Sequence, residues 1–469
     1  MGANPSGPRR LGASFRDPAG FVFARGGTVY RQVNQAGAAD YDLLLSSGLY
    51  QELAQAGLLI PHEEAPLALA LAPGAYKVIQ PQAVPFVSYP YEWCFGQLKD
   101  AALATLEVQR RALARGLCLK DASAFNLQFL EGRPRFIDTL SFERYQEGRP
   151  WVAYQQFCRH FLAPLALMAL RDWRLGRLSR LHLEGLPLDL AQALLPRRAL
   201  LRPGLLMHIG LHAKSQARFG GRKVEVKDKA FSGRAMLGLV ESLRGAVRGL
   251  SWRPQGTQWA AYYEDTNYSE RAAQHKAELV RDMLAQAAPQ TVWDLGGNTG
   301  RYSRVAAEQA GLVVSFDLDM AAVEQNYRRC QQDGERRILP LVMDLNNPSP
   351  ALGWDLAERD SLAARGPADA ALALALVHHL AIGNNLPYGR IAELLARLAR
   401  WLVVEYIPPD DSQAQRLLAN REAAGLHDLG PEAFAAAFGR CFQVVQTRPL
   451  AESGRLLYLM RYLGGSNQQ

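Results

Sequence analysis

Val292-Trp293-Asp294-Leu295-Gly296-Gly297-Asn298-Thr299-Gly300 decides the fold of the C-terminal half of this 469-residue chain. A short apolar strand over Thr291–Leu295 runs into Asp-Leu-Gly and then a loop of small residues. Such a loop lets backbone approach a ligand closely at the carboxyl edge of a sheet. Working outward, 312–316 reads as a second strand, 338–343 as a third, 370–376 as a fourth and 401–405 as a fifth. Helical stretches lie between them, from about Tyr302, over 320–332 and over 386–398. Alternation of this kind predicts an α/β fold with a doubly wound, mostly parallel sheet and helices on both faces. The second and third strands each end on a carboxylate, Asp317 and Asp344, so three acidic strand ends share the ligand edge.

On these residues, 257–465 resembles a class I S-adenosylmethionine-dependent methyltransferase, a Rossmann-like fold. The resemblance implies that Asp294 and the loop of Gly296, Gly297, Asn298 and Gly300 hold the methionine part of the cofactor. It also implies that Asp317 binds the ribose and Asp344 meets the adenine amino group. Asn298 stands where the family's loop usually has its central glycine. A nicotinamide dinucleotide is disfavoured because the Gly-x-Gly-x-x-Gly spacing is missing.

Methyl transfer needs alignment of a nucleophile with the sulfonium methyl, and a base where the nucleophile carries a proton. Val377-His378-His379-Leu380 follows the fourth strand, and Glu405 ends the fifth, so His378, His379 and Glu405 are the candidate catalytic residues. Neighbouring residues at a strand end point to opposite sides, which leaves one histidine of the pair facing the pocket. A neutral imidazole suits a hydroxyl or phenol nucleophile; the alternative for the pair is backbone hydrogen bonding. Trp259, Tyr262, Tyr263, Tyr268 and Lys276, just before the first strand, are expected to cap the cofactor or to be core aromatics and a surface lysine. Residues 344–354 form a turn-rich loop at the same edge, a candidate substrate gate.

The N-terminal half reads differently. Phe21-Val22-Phe23, Gly26-Gly27 and Val29 to Val33 predict a hairpin around a glycine turn, and 96–116 predicts a helix closed by Gly116. Asp121 and Asn126 lie five apart, and Phe136-Ile137-Asp138 follows twelve residues later. Over 14–150 this resembles the core of kinase-like, small-molecule phosphotransferase folds. The resemblance implies that Asp121 orients a hydroxyl acceptor while Asn126 and Asp138 hold magnesium on ATP. Several departures mark it as degenerate. Leu119-Lys120 replaces the usual histidine segment, Thr139-Leu140 replaces Phe-Gly after Asp138, and Arg31 or Lys77 must supply the phosphate-facing cation. Residues 151–250, rich in Leu, Arg and Ala, predict a helical lobe and a basic linker, broken at Ser251 to Gly256.

The expected organisation is therefore an α+β kinase-like domain (14–150), a helical segment (151–250) and a methyltransferase domain (257–465). A kinase–methyltransferase pairing also resembles enzymes that cap bacterial polysaccharide chains, although those place the methyltransferase first.

Composition sets bounds on partners. Hydrophobic content of 48% and charged content of 21% exclude wholesale disorder or a fibre. Residues 1–250 carry 32 basic and 20 acidic side chains, and 251–469 carry 21 and 25. Between 197 and 248 the balance is 12 to 3, a stripe that could track a polyanion. Only Phe219 and Phe231 accompany it, which weakens a stacking platform for single-stranded nucleic acid. Five scattered cysteines fit a reducing compartment with no disulfide framework or metal site. Apolar runs are too short for a membrane span, and the N-terminus has no secretory h-region, so a bacterial cytoplasmic location is expected.

The reading is an S-adenosylmethionine-dependent methyltransferase acting on an oxygen, before nitrogen, of a small-molecule or glycan acceptor. Its rivals are an RNA methyltransferase using the stripe, a bifunctional kinase–methyltransferase using magnesium-ATP, and a non-catalytic cofactor-binding scaffold.

Overall fold

The computed structural model describes residues 7–211, 232–254, 269–419 and 427–464. The chain divides into two compact units. Unit 1 comprises Met1–Arg253 with Leu352–Arg359, and unit 2 comprises Pro254–Ala351 with Asp360–Gln469.

Unit 1 opens with strands β1 (Arg9–Arg10), β2 (Gly20–Arg25) and β3 (Thr28–Asn34). Helices α1 (Ala38–Ser46) and α2 (Leu49–Gln55) and strands β4 (His62–Ala65) and β5 (Ala75–Pro81) follow. The five strands form an antiparallel sheet in the order β1-β2-β3-β5-β4. The expected hairpin is present: β2 and β3 pair from Gly20↔Val33 to Arg25↔Thr28. Its two-residue turn, Gly26-Gly27, takes positive φ at both positions (58° and 80°), which glycine adopts without a Cβ penalty. Helix α3 (Phe95–Ala114) matches the predicted 96–116, with Leu98, Ala102 and Leu106 buried at helical spacing.

Beyond α3 come β6 (Leu117–Leu119), β7 (Leu127–Leu130), β8 (Arg133–Phe136) and β9 (Phe142–Arg144). β6 pairs with β9 and β7 with β8, both antiparallel. This nesting brings the segments after β6 and after β8 together. Helices α4 (Tyr154–Phe157), α5 (Ala163–Leu170), α6 (Leu188–Leu194), α7 (Pro203–Leu205) and α8 (Gly233–Arg248), with 3-10 and π turns between them, complete the helical region expected over 151–250. It is tied to α3: Lys99 Nζ donates to the carbonyls of Arg248 (3.1 Å) and Leu250 (2.7 Å).

Unit 2 begins with α9 (Glu270–Ala287), capped by Ser269 Oγ accepting from the Ala272 amide at 3.1 Å, a contact worth about 1 kcal/mol. Strands β10 (Thr291–Leu295), β11 (Leu312–Asp317), β12 (Ile338–Val342), β13 (Ala368–Ala373) and β14 (Ala399–Tyr406) alternate with α10 (Arg301–Ala307), α11 (Met320–Asp333) and α12 (Tyr388–Leu398). α13 (Ser412–Leu418), α14 (Pro431–Gly439), β15 (Phe442–Pro449) and β16 (Leu456–Tyr462) close the unit. The seven strands lie in the order β12-β11-β10-β13-β14-β16-β15. The strands β10 to β14 are mutually parallel, and β16 pairs antiparallel with both neighbours. β10 and β13 sit side by side at the centre, where the winding direction reverses and a crevice opens at the carboxyl ends. Buried parallel strands read as apolar runs, as in the Ile-Leu-Pro-Leu-Val of β12, all five residues buried. One core cluster joins Val280, Met283 and Leu284 of α9, Val305 and Ala306 of α10, and Val292, Val313, Leu372 and Val403 of the sheet.

Candidate functional site

The site is built on the carboxyl edge of the unit 2 sheet. Gly296 and Gly297 both donate their amides to the Phe316 carbonyl (2.8 and 2.9 Å), folding the loop after β10 onto β11. Gly296, Asn298 and Gly300 all have positive φ (80°, 49° and 80°). Asparagine tolerates this region better than most residues, which explains Asn298 where glycine is usual. A Cβ at Gly297 would strike Ser315 Oγ and come within 3.0 Å of the Asp294 carboxylate, so only glycine fits against these two side chains.

Asp294 is buried and accepts from Ser303 Oγ at 2.6 Å; Ser303 also meets Ser315 Oγ at 2.8 Å. Burial pushes the Asp294 carboxyl up to about 6, against the opposing pull of Ser303 and Lys276. Asp317 accepts from the amides of Asn298 (2.8 Å) and Asp319 (2.8 Å), and burial raises it to about 6 as well. Asp344, half-buried, accepts from the Asn346 amide at 2.9 Å.

These groups surround one cavity of about 580 Å³. Its wall includes Asp294, Gly296, Gly297, Asn298, Asp317 and Asp344, all expected from sequence. Gly300 lies behind the wall, its Cα packed on the Asn326 amide. His379, on a π turn over His379–Gly383, lines the same cavity, as do Leu374, Ala375, Leu376 and Leu380.

The structure places the two histidines differently. His379 lines the cavity, whereas His378 is 4% exposed and lies behind it, the ring centroids 4.0 Å apart. Neither ring nitrogen of His378 has a hydrogen-bond partner among the described residues, and burial drives its pKa well down. Burial, aided by the Arg455 charge, lowers His379 to about 4. The reason for the split differs from the expected strand-end alternation: β13 stops at Ala373, and a helical turn carries the pair.

Glu405 is not part of the cavity wall. Its Oε2 accepts from Lys276 Nζ at 2.6 Å and from the Ala375 amide at 2.7 Å, and Oε1 lies 3.4 Å from Arg455 Nη1. Arg455 also pairs with Asp411 at 2.8 Å. Lys276, foreseen as a surface lysine or a capping residue, is 2% exposed, reaches the cavity wall and sits 4.8 Å over the Tyr302 ring. Trp259, Tyr262, Tyr263 and Tyr268 lie outside the described residues. Of the loop 344–354, Asp344, Leu345 and Asn346 line the cavity, while the part from Leu352 onward belongs to unit 1. Wall residues that sequence reasoning missed include Ser269, Arg301, Met343 and Leu417. None has a motif of its own; the positions next to Asp344 and in the first turn of α10 follow from the fold once it is known.

The second predicted cluster also comes together, within unit 1. Asp138 Oδ1 pairs with Arg31 Nη1 at 2.6 Å and accepts from the Leu140 amide at 2.9 Å. Asp138 Oδ2 accepts from Ser141 Oγ at 2.7 Å, and Asn126 Nδ2 donates to that same hydroxyl at 3.2 Å. Asp121 accepts from the Ser123 amide at 2.9 Å, and burial raises its pKa. Of the two candidate cations, Arg31 joins this cluster and Lys77 pairs instead with Glu64 at 2.7 Å. Among the described residues no group of His, Cys, Asp and Glu is arranged to hold a metal ion, and no helix is long and apolar enough to cross a membrane. The five cysteines are free thiols.

A parallel sheet with its switch point between β10 and β13, an antiparallel penultimate strand and a glycine loop flanked by three strand-end carboxylates define a class of fold: the Rossmann-like fold of the S-adenosylmethionine-dependent methyltransferase type. The residues lining the cavity fit that cofactor: the carboxylates Asp294, Asp317 and Asp344 can accept from amino and hydroxyl groups, and the loop Gly296-Gly297-Asn298 presents backbone beside them. No protein-family model matches the chain. The nodulation protein NoeA of Rhizobium meliloti (strain 1021) is 36% identical over 460 residues, 96% of this chain and 96% of that protein, and the chain belongs to the NoeA family. Among solved structures, magnesium protoporphyrin IX methyltransferase (ChlM) from Synechocystis PCC 6803 with bound SAH is 18% identical. The match covers 43% of this chain and 92% of that one, with a TM-score of 0.32. The N-methyltransferase NodS from Bradyrhizobium japonicum WM9 in complex with S-adenosyl-L-homocysteine is 12% identical over 44% and 100% of the two chains, with a TM-score of 0.31.

Proposed function

We propose that this protein methylates an oxygen of a small-molecule or glycan acceptor, with His379 as the base, and that unit 1 is a degenerate phosphotransferase-like module that binds acceptor or partner. The observation that carries the first part is the one cavity lined both by the cofactor-type residues and by His379. When bound, S-adenosylmethionine supplies an electrophilic methyl on a sulfonium. Asp294 and the backbone at Gly296 and Gly297 would hold its amino-acid end, Asp317 its ribose hydroxyls and Asp344 its adenine amino group. His379 is neutral at physiological pH because it is buried, and a neutral imidazole can take the proton a hydroxyl gives up as the C–O bond forms. An amine acceptor would need less help, so dependence on His379 separates oxygen from nitrogen.

Glu405 acts in this reading as a strut. One carboxylate fixes α9 through Lys276, the loop after β13 through the Ala375 amide, and Arg455 ahead of β16. For unit 1, kinase-like ancestry is supported by the nested β6–β9 and β7–β8 pairs bearing Asp121, Asn126 and Asp138. Loss of phosphoryl transfer is supported by the Arg31 guanidinium, which occupies the Asp138 carboxylate that would otherwise face magnesium. The test is methyl transfer from labelled S-adenosylmethionine to hydroxyl-bearing saccharides and small molecules by wild type and His379→Ala. Turnover on hydroxyl acceptors that survives His379→Ala with unchanged cofactor affinity would remove the base assignment. Failure of the wild type to bind the cofactor at all would remove the reading.

A further inference from the structure

We propose that unit 1 docks onto an anionic lipid surface through the turn Arg197–Leu201, the segment Leu206–Leu211 and the exposed side of α8. Leu201 is 82% exposed, Leu211 55% and Met207 50%, and Leu206 and Leu237 are exposed beside them. Large apolar side chains this open are ordinary when scattered, but four of these lie between 201 and 211 and the fifth on the helix that this segment packs against, a concentration that calls for a partner.

The display is built, not frayed. His208 is fully buried, its Nδ1 2.8 Å from Tyr154 Oη and its Nε2 2.9 Å from Ser242 Oγ of α8. Ile209 and Gly210 are buried too, so the π turn is anchored on its inner side and holds Met207 and Leu211 outward. Gly204 packs its Cα on Ala246, drawing the segment against α8. On α8 itself Met236 and Val240 face the core while Leu237 faces out.

Charge selects the partner. The described stretches 197–211 and 232–248 contain six arginines against one acidic residue, Glu241; Arg244 is taken up by Glu107 of α3 (3.4 Å) and Glu241 (3.5 Å), so Arg197, Arg198, Arg202, Arg234 and Arg248 carry the charge of this face. Residues three apart eclipse in a 3-10 turn, so Arg198 and Leu201 share one side of Arg197–Leu201. Apolar knobs flanked by arginines match a bilayer interface bearing anionic headgroups: the knobs enter the acyl boundary and the cations stay at phosphate level. The same stretches contain no Phe, Tyr or Trp, so single-stranded nucleic acid would find charge without a stacking ring.

The test is co-sedimentation of the full chain with vesicles of phosphatidylcholine alone and of phosphatidylcholine with phosphatidylglycerol, beside gel-shift titration with a single-stranded RNA. Wild type should sediment with the mixed vesicles and not with phosphatidylcholine alone, and added salt should release it. Arg197→Gln with Arg198→Gln should cut partitioning about 30-fold, as two charges each worth about fivefold near such a surface. Leu201→Ser with Met207→Ser should cut it about tenfold or more at constant charge. Both variants should keep the circular dichroism spectrum and cofactor affinity of the wild type. Equal sedimentation with neutral vesicles, partitioning unmoved by either pair, or a gel shift on RNA without vesicle binding would each overturn the proposal.

Discussion

Replacing Glu405 by glutamine distinguishes a strut from a base. Lys276 and Glu405 have side chains 2% and 0% exposed, 2.6 Å apart, and Arg455, 2% exposed, closes on the same carboxylate at 3.4 Å. Two cations thus share one buried anion, with Asp411 taking the far side of Arg455. Removing one partner of a buried pair typically costs about 3–5 kcal/mol, because the other charge stays desolvated and unpaired. Glutamine keeps the volume and one acceptor for the Ala375 amide, so the lower end, about 3 kcal/mol, is expected for unit 2. Hydrogen exchange followed by mass spectrometry localises the effect: peptides spanning β10 and β14 should lose protection by about a hundredfold, the same energy as a population of open states. The methyltransferase rate should fall in parallel with the fraction of intact site. Adding Lys276→Met to Glu405→Gln should recover part of the loss, a coupling of about 1 kcal/mol or more between touching groups. Unchanged protection together with loss of kcat and full cofactor affinity would refute this reasoning and return Glu405 to the role of base.

Further outcomes follow from the same geometry. Gly297→Ala should abolish cofactor binding by calorimetry while leaving the sheet folded, because the new Cβ meets Ser315 Oγ and the Asp294 carboxylate. His379→Ala should lower kcat on a hydroxyl acceptor by about 10²–10⁴ with cofactor affinity little changed, and the acid limb of the wild-type kcat profile should fall near 4, where His379 protonates. With Asp294 and Asp317 raised to about 6, the unliganded domain holds protons between about 4 and 6 that the unfolded chain does not. Its stability, by thermal unfolding, should therefore rise as pH falls through 6, while cofactor affinity should weaken over the same window as the acceptor carboxylates become neutral. Magnesium-ATP should give no binding isotherm with wild type that Asp138→Ala removes.

The sequence made the centre of unit 2 legible because parallel strands buried on both faces are apolar runs that stop abruptly on charged or small residues. Thr291–Leu295 was found to the residue, and the strands 312–316 and 338–343 to within one. The alanine-rich fourth strand was placed late, as 370–376 against the observed Ala368–Ala373, because alanine carries little periodic signal and the apolar run continues past the strand end. β15 and β16 went unread. Most of β15 is exposed at the sheet edge, so Phe-Gln-Val-Val-Gln-Thr shows no buried face to detect, and its bulge between Val444 and Gln446 breaks the alternation. For the site, every strand-end carboxylate was visible because each stands within two residues of the end of an apolar strand. Glu405 was visible for the same reason, and its burial was not, since nothing local to Val-Val-Glu-Tyr says that Lys276 and Arg455, 129 and 50 residues away, converge on it. Leu352–Arg359 likewise carries no compositional boundary. Its membership of unit 1 rests on contacts such as Arg16–Glu358 at 2.6 Å and Arg359 over Phe125 at 4.2 Å.

The difference between the two predicted clusters lies in what their carboxylates already hold. At Asp317 both oxygens accept backbone amides, which polarise the carboxylate without neutralising it, and the group still reaches the cavity wall. At Asp138 one oxygen carries a full guanidinium charge plus an amide, and the other a hydroxyl shared with Asn126. A divalent cation entering there would have to displace Arg31, which is 7% exposed and has Asp17 as its other acidic neighbour at 3.5 Å. Displacement would leave a buried guanidinium facing a bound metal at close range, a like-charge pairing in a low-dielectric setting. Arg31 projects from β3, the strand between β2 and β5, and its guanidinium is held by both Asp138 and Asp17. In the reading proposed above, Arg31 therefore stands at Asp138 where a bound cation would otherwise be, supplied from within the fold. Under that reading the same kind of residue pattern, an acid at the end of a short strand, is a ligand site in one unit and a closed structural joint in the other, because only in the second does a buried guanidinium already hold the carboxylate.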